Sequence, residues 1–297
     1  MPNLYKKNST GWINGFIGVL LFSGSLPATR LAVLSFSPLF VTVARASIAG
    51  ILALAVLLIF KQKRPGKKDF YRLIITSAGV VIGFPLFSAI ALLHITSANS
   101  IVFIGILPLL TALFGLKGSD DRPPRKFWIF SLLGAFLVVG FAVYQGFSTS
   151  PFGNFLMLLA VLMCGLGYAE GAKLSKTLGG WQVISWALVT ALPLMLILLF
   201  SVWPPSFKNI EFSAWAGLAY VSVFSMFVGF VFWYKGLAQG GIAYVSQLQL
   251  LQPFFALILA SVLLNEQISA LMVIVTTGVI FCVAASKKFS SQKVKPN

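Results

Sequence analysis

The chain has 297 residues, of which 58% are hydrophobic and 9% charged, and its mean hydropathy is +0.94. About 25% of the residues of a soluble globular domain are charged, so this composition excludes an ordinary soluble protein and indicates one that lies in the lipid bilayer. A net charge of +16 would suggest nucleic-acid binding in a soluble protein. In a membrane protein basic residues gather in cytoplasmic loops, so we expect no nucleic-acid partner.

Ten apolar runs follow one another along the chain. Each is long enough, or nearly so, to cross about 30 Å of hydrocarbon as a helix of about 20 residues. The runs are continuous rather than alternating, which favours helices over barrel strands. Ten such helices leave no room for a soluble catalytic domain. In chain order the predicted spans are residues 12–33, 38–60, 70–92, 96–116, 127–144, 155–174, 181–203, 214–237, 243–264 and 268–285.

The basic residues predict which side of the membrane each loop faces. Nearly all Lys and Arg residues precede span 1, follow span 10 or lie at the loops after the even-numbered spans. These positions share one side of the membrane, and most of the charge is in residues 61–72 and 117–126. Lys208 is the only cation in the opposite loops. Because positive charge concentrates on the cytoplasmic side, we expect both termini in the cytoplasm.

The two halves of the sequence are weakly similar to each other. Residues 106–113 align with residues 251–258, which sets Pro108 and Pro253 145 positions apart. At the same offset Asp121 aligns with Glu266. A unit of five spans is odd, so its second copy must enter the membrane from the opposite face. We therefore predict an all-α integral membrane protein of ten transmembrane helices, built as two inverted five-helix repeats over residues 12–144 and 153–286, with a binding site near the midplane.

Short motifs in these spans resemble the EamA family of the drug/metabolite transporter superfamily. They are residues 40–45, which end in Arg45, residues 97–100 leading to Pro108, and Gln252-Pro253 leading to Asn265-Glu266. The resemblance covers about residues 12–286. It implies a carrier of small metabolites in a bacterial-type cytoplasmic (inner) membrane, often an exporter. In the first repeat, residues 117–121 replace the Gly-Glu that the family usually has after the fourth helix.

Span 9 has the most polar side chains and supplies the first candidate binding residues. Gln249 and Gln252 lie about 60° apart on one helix face, with Ser246 about 60° further round. An amide donates and accepts hydrogen bonds, which suits a neutral or zwitterionic solute. Alternatively, these side chains bond neighbouring helices. Arg45 in span 2 could hold a substrate carboxylate, or else reach outward or bond the ends of adjacent helices.

Glu170 is the only acidic residue inside an apolar run, which makes it a candidate for proton coupling. Its predicted depth argues against a direct pair with Arg45. The alternative is a local bond with Lys173, three residues further along the helix. Tyr168 and Trp233 also lie inside spans, where they could line an apolar wall of the cavity or serve packing alone.

These features predict a secondary transporter that works by alternating access. The resemblance to the family implies that it moves a small amphipathic metabolite, such as an amino acid, outward. No nucleotide-binding loop is present, so we expect energy from protons or from the solute gradient. We expect no cofactor and no metal, because a single His94 cannot build a metal site of ordinary ligand number. Two alternatives are a nontransporting membrane partner or sensor subunit, and a membrane enzyme acting on lipid-linked substrates. The enzyme would need a cluster of His, Asp, Glu or Cys residues, which the sequence lacks.

Overall fold

A computed structural model describes residues 9–116, 150–240 and 245–290, together with ten positions between residues 129 and 144. All regular elements in these ranges are helical. Several helices begin at residues that favour a helix N-terminus. The third helix starts at Pro38, whose fixed φ suits a first helical position, and the Ser37 hydroxyl accepts a hydrogen bond from the Phe40 amide at 3.2 Å. Ser150 and Pro151 start a helix in the second half in the same way.

The described part of the first half contains seven α-helices. A π-helical segment, Ser77–Gly83, joins the fourth to the fifth, so that these two form one continuous span. The helices are α1 (Ser9–Ser23), α2 (Ser25–Val33), α3 (Pro38–Ile59), α4 (Lys67–Thr76), α5 (Phe84–His94), α6 (Ser97–Ile104) and α7 (Leu107–Leu116).

The second half contains six described α-helices. A π-helical segment, Val221–Val228, joins two of them into one span, and a 3₁₀ segment, Ser246–Leu251, precedes another. The helices are α8 (Pro151–Leu178), α9 (Gly180–Ser201), α10 (Phe212–Tyr220), α11 (Gly229–Gly240), α12 (Gln252–Leu264) and α13 (Ala270–Ser290).

Helical segments coincide with nine of the ten predicted spans. Seven are apolar and long enough to cross a membrane, and two shorter apolar helices cover residues 248–264 and 270–282. Part of the predicted span 127–144 lies outside the described residues, as does the start of the span 243–264. Three predicted starts were late by three residues or more, because α1 begins at Ser9 rather than at residue 12, α4 at Lys67 rather than at residue 70 and α8 at Pro151 rather than at residue 155. The first turns of these helices contain polar residues, so the apolar runs begin after them.

The second span of each half packs antiparallel against its counterpart. The rings of Phe40, near the start of α3, and Trp203, just after α9, have centroids 6.1 Å apart. At the other end, the Phe60 and Trp181 centroids are 5.6 Å apart. An inverted repeat requires this antiparallel relationship between equivalent helices.

The first span of each half packs against the third span of the other. Asn14 in α1 donates a hydrogen bond to Gln239 in α11 at 2.8 Å, and Tyr220 at the end of α10 donates to the Leu21 carbonyl at 2.9 Å. In the reciprocal pair, the His94 ring at the end of α5 contacts the Phe152 ring at the start of α8, with centroids 5.3 Å apart. The halves therefore interlock in a two-fold related pattern.

Helix irregularities recur at equivalent positions in the two halves. The π-helical segments start at Ser77 and Val221, each in the third span of its half. A tight turn precedes Leu107 and a 3₁₀ segment precedes Gln252, so α7 and α12 begin 145 positions apart, each with proline as its second residue. Discontinuous helices of this kind are typical of transporter binding sites, and π-helical turns are frequent at functional sites.

Candidate functional site

A cavity lies where the two halves meet. Its walls come from α1, α2, α3, α5, α6, α7, α8, α11 and α12 and from both π-helical segments. The space in it that water could occupy is about 20 Å³, close to what one water molecule needs. In this conformation the free space is therefore too small for a metabolite.

Positions related by the internal repeat line this cavity in pairs. Leu107 and Gln252, the first residues of α7 and α12, both contribute to the lining. So do Val80 and Ser225, which lie in the two π-helical segments and are also 145 positions apart. In each pair the first half supplies an apolar side chain and the second half a polar one, so the cavity is chemically asymmetric.

Arg45 is the charged residue of the cavity lining. Its side chain is only 2% exposed. The Nη2 atom donates to the Ser225 hydroxyl at 3.3 Å, and that oxygen lies 2.6 Å from the Ser25 hydroxyl. The Nε and Nη1 atoms are buried and have no hydrogen-bond partner. Arg45 therefore holds unused donors in the cavity, against a background of neutral hydroxyls.

The glutamines of the predicted ninth span divide into two groups. Gln252 lines the cavity, and its Oε1 atom is buried without a hydrogen-bond partner. Gln249 is 2% exposed and is not part of the lining, although it lies close to the Tyr168 hydroxyl. Ser246 belongs to the 3₁₀ segment, and its side chain lies outside the described part of the chain. Gln252 is thus the amide best placed to meet a solute.

The two candidate aromatic residues also differ in position. Tyr168 lines the cavity, where its ring packs 5.7 Å from that of Phe230 and 6.3 Å from that of Phe22. Trp233 is 1% exposed and lies behind this layer, 6.0 Å from Tyr168 and 6.2 Å from Phe22 between ring centroids. Trp233 supports the aromatic wall without forming part of the lining.

Glu170 lies outside the cavity, in an ion-pair cluster at one end of the bundle. Its carboxylate is 2.6 Å from the Lys173 ammonium group and 3.9 Å from Nε of Arg72 in α4. Lys173 also donates to the Phe114 carbonyl in α7 at 3.4 Å. The local bond between Glu170 and Lys173 that the sequence offered as an alternative is present, and Arg72 adds a connection to the first half.

Glu266 forms a second connection at the opposite end of the bundle. Its carboxylate accepts hydrogen bonds from the Ser97 amide at 2.9 Å, the Ser97 hydroxyl at 2.8 Å and the Ala98 amide at 2.6 Å. Ser97 follows α5, whereas Arg72 lies near the start of α4 in the same span, so the two acidic clusters mark opposite ends. Each connects the second half of the chain to the first.

Other reactive side chains do not assemble into a site. Cys164 and Cys282 are buried free thiols. Within the described ranges, no group of three or more His, Cys, Asp or Glu residues could hold a metal ion. The cavity therefore offers hydrogen bonds, one positive charge and apolar contacts.

The sequence model of the EamA-like transporter family matches the chain twice, over residues 9–143 and 151–286. The chain belongs to this family. It is therefore a multi-pass membrane transporter, not an enzyme, with two EamA repeat domains.

Relatives of this EamA-like transporter include proteins of two quite different degrees of similarity. "Uncharacterized transporter YdeK" of Bacillus subtilis (strain 168) is 61% identical over 285 residues, which cover 96% of this chain and 99% of YdeK. "Uncharacterized transporter YyaM" of the same strain is 23% identical over 253 residues, 82% of this chain and 83% of YyaM. A crystal structure whose description names no function is 19% identical and covers 95% of this chain with a TM-score of 0.65, which shows a shared fold.

Sequence reasoning missed several lining residues of this EamA-like transporter. Ser25 and Ser225 had no distinguishing signal, because serine is common as a packing residue in membrane helices. The contact between Glu266 and Ser97 was also missed, although both belong to the motifs that suggested the family. One available signal was that Glu266 lies between two predicted spans and Ser97 at the start of another, on the same predicted side of the membrane.

Proposed function

We propose that this EamA-like protein is a secondary transporter that exports a small amphipathic metabolite, such as an amino acid, by alternating access. The observation that carries the proposal is the cavity between the halves, where Arg45 and Gln252 have buried polar atoms without partners. A buried polar atom without a partner costs free energy, and a polar solute entering the cavity would remove that cost. Export, rather than import, rests on the resemblance to the family.

We propose Gln252, Arg45 and Tyr168 as direct contacts for the solute. Gln249 and Ser246 would act from the adjoining segment, and Trp233 from behind the aromatic wall. The amide of Gln252 and the guanidinium group of Arg45 would exchange hydrogen bonds to water or neighbouring side chains for hydrogen bonds to the solute. This exchange would let the solute enter and leave the cavity. The solute's apolar part would lie against Phe22 and Phe230.

Alternating access further requires two gates, and the two acidic clusters supply candidates. Glu266 ties the segment after α12 to the start of α6, and Glu170 ties α8 to α4. When both connections are formed, the two gates would be shut and the cavity between them would face neither side of the membrane. We propose that the clusters break in turn as the protein opens to one side and then to the other.

The proposed topology follows from the charge pattern and the repeat. Residues 12–144 and 153–286 would form inverted repeats, with both termini and the basic loop 61–72 in the cytoplasm of a bacterial cell. The Glu170 cluster would then face the cytoplasm and Glu266 the exterior. In this position Glu170 could also take up or release a coupling proton, although it stands apart from the solute cavity.

The test is transport by the purified full-length protein in proteoliposomes. Liposomes loaded with a mixture of amphipathic metabolites would be diluted into solute-free buffer, and efflux of each solute would be measured with and without a pH gradient. Accelerated efflux of at least one solute, relative to protein-free liposomes, supports the proposal. Absence of efflux for every solute class, with correctly inserted protein, would favour a nontransporting partner or sensor subunit instead.

A further inference from the structure

Arg45 is a buried cation that lacks a counter-ion in the structure. Its one hydrogen bond goes to a neutral hydroxyl, that of Ser225. Both ion pairs found in the described part of the chain are formed by Glu170, with Arg72 and Lys173. Burying an unpaired charge is expensive, and an anion that entered the cavity would offset that cost.

The donors of Arg45 define the kind of anion that fits. A guanidinium group has five N–H donors in a planar fork and binds a carboxylate through two parallel hydrogen bonds. Only one N–H bond of Arg45 is in use. The lining contains no lysine and no second arginine, so it balances one negative charge rather than the two of a phosphate dianion.

The rest of the lining defines what accompanies the carboxylate. Phe22, Leu26, Phe84 and Ile104 surround the cavity with hydrocarbon, which favours an apolar chain. No residue of the lining is acidic, so nothing there carries a negative charge for an ammonium group. The Oε1 atom of Gln252 has no partner, and an uncharged donor on the solute, such as a hydroxyl group, would satisfy it.

The geometry points to an apolar monocarboxylate as the transported solute, bound as the anion by Arg45. This inference rests on the proposed transport function and narrows its solute class. The acid that lacks an ammonium group is preferred over the amino acid with the same carbon skeleton, because only the amino acid brings a positive charge into a cavity that already holds Arg45.

Matched sets of small molecules test this charge preference directly. One set is 4-methylpentanoate, its neutral amide and leucine, which share one carbon skeleton, and a second set uses the corresponding phenylpropanoate compounds. Binding to the purified full-length protein is measured by isothermal titration, and efflux of each compound by proteoliposome assay. We expect each carboxylate to bind at least tenfold more tightly than its amide and its amino acid.

Variants assign that preference to Arg45. Arg45→Gln should abolish the preference for carboxylate over amide, and Arg45→Lys should reduce it, since an ammonium group lacks the planar fork. Arg30→Gln is the matched control, because Arg30 lies in α2, donates to the Leu92 carbonyl and is not part of the cavity lining. If Arg45→Gln fails to fold, the wild-type preference within each set still decides the question.

The outcomes separate this inference from the proposed function. Equal or tighter binding of the amide or the amino acid by the wild-type protein overturns the monocarboxylate assignment, as does an unchanged carboxylate preference in a folded Arg45→Gln variant. Efflux of amides or amino acids in preference to acids would overturn the assignment but leave transport established. Failure to move any solute class would overturn both.

Discussion

The Glu266 carboxylate binds the first turn of α6 through Ser97, accepting hydrogen bonds from both the Ser97 amide and the Ser97 hydroxyl. A helix N-terminus has unpaired amide groups and a partial positive charge, both of which favour a carboxylate. Because 169 positions separate the two residues, this bond fixes the second half of the chain to the first.

Glu266→Ala should therefore destabilise the protein by about 1–2 kcal/mol, since it leaves the first amides of α6 without their acceptor. Thermal unfolding of the protein in detergent measures this effect. Glu211→Ala is the control, because Glu211 is exposed and its carboxylate accepts a hydrogen bond from the Ser213 hydroxyl, two residues away, rather than from the other half of the chain. A Glu266→Ala variant as stable as that control would show that water replaces the carboxylate at no cost.

Gly79 should not tolerate a methyl group, because two helices touch there through their backbones. A Cβ atom on Gly79 would lie 2.6 Å from the Met163 carbonyl oxygen and 2.7 Å from the Gly167 Cα. We expect Gly79→Ala to lower the unfolding free energy by about 1–3 kcal/mol through overpacking. A Cβ atom on Gly115 would meet nothing within 4 Å, so Gly115→Ala should leave stability nearly unchanged. Equal unfolding temperatures for the two variants would contradict this packing.

The spans and the repeat could be predicted because both depend on local chemistry. Continuous apolar runs mark membrane helices, and the 145-residue offset between Pro108 and Pro253 marks the repeat. Gln252 and Leu107, which the same offset relates, both line the cavity. In each case the signal lies in one segment or in two segments of similar sequence.

The remaining features depend on packing between segments that share no sequence signal. Tyr168 and Trp233 are both aromatic residues inside spans, and only the packing of α8 against α11 decides that Tyr168 lines the cavity and Trp233 supports it. The hydrogen bond from Arg45 to Ser225 likewise requires the first half to meet a π-helical turn of the second. No local pattern predicted that turn.

The topology can be tested with single cysteines at two exposed lysines. Lys67 and Lys208 lie in loops predicted to face opposite sides of the membrane. In intact cells a membrane-impermeant thiol reagent should label Lys208→Cys and spare Lys67→Cys, and permeabilised cells should give labelling of both. Both native cysteines are buried, which keeps the background low. Equal labelling of the two variants in intact cells would refute the proposed sidedness.

Proton coupling through Glu170 predicts a specific change in transport. Glu170→Gln should leave expression intact and remove any dependence of efflux on the pH gradient, because an amide cannot take up and release the proton. Arg72→Gln is the matched control, since it breaks the connection between α4 and α8 but leaves the carboxylate paired with Lys173. Retained gradient dependence in Glu170→Gln, or equal loss in Arg72→Gln, would limit Glu170 to a structural role.

Gln252 supplies the sharpest test of the cavity itself. Gln252→Ala should weaken solute binding by about 0.5–1.5 kcal/mol, the net value of one hydrogen bond. Gln252→Leu should weaken it more, because an apolar side chain of similar volume fills the space and leaves a polar group of the solute unpaired. Solute affinity is measured from the concentration dependence of efflux in proteoliposomes.

Gln62→Ala provides the reference for that measurement, because the Gln62 amide lies outside the helices and donates to the Phe60 carbonyl two residues away. The ordering of the affinities carries the argument: the Gln62→Ala variant should match the wild-type protein, Gln252→Ala should be weaker and Gln252→Leu weaker still. Loss of stability alone would lower the amount of active protein without changing the concentration at which efflux is half-maximal. If folded Gln252→Ala and Gln252→Leu variants both retain wild-type affinity, the solute does not reach Gln252, and the binding site lies elsewhere between the halves.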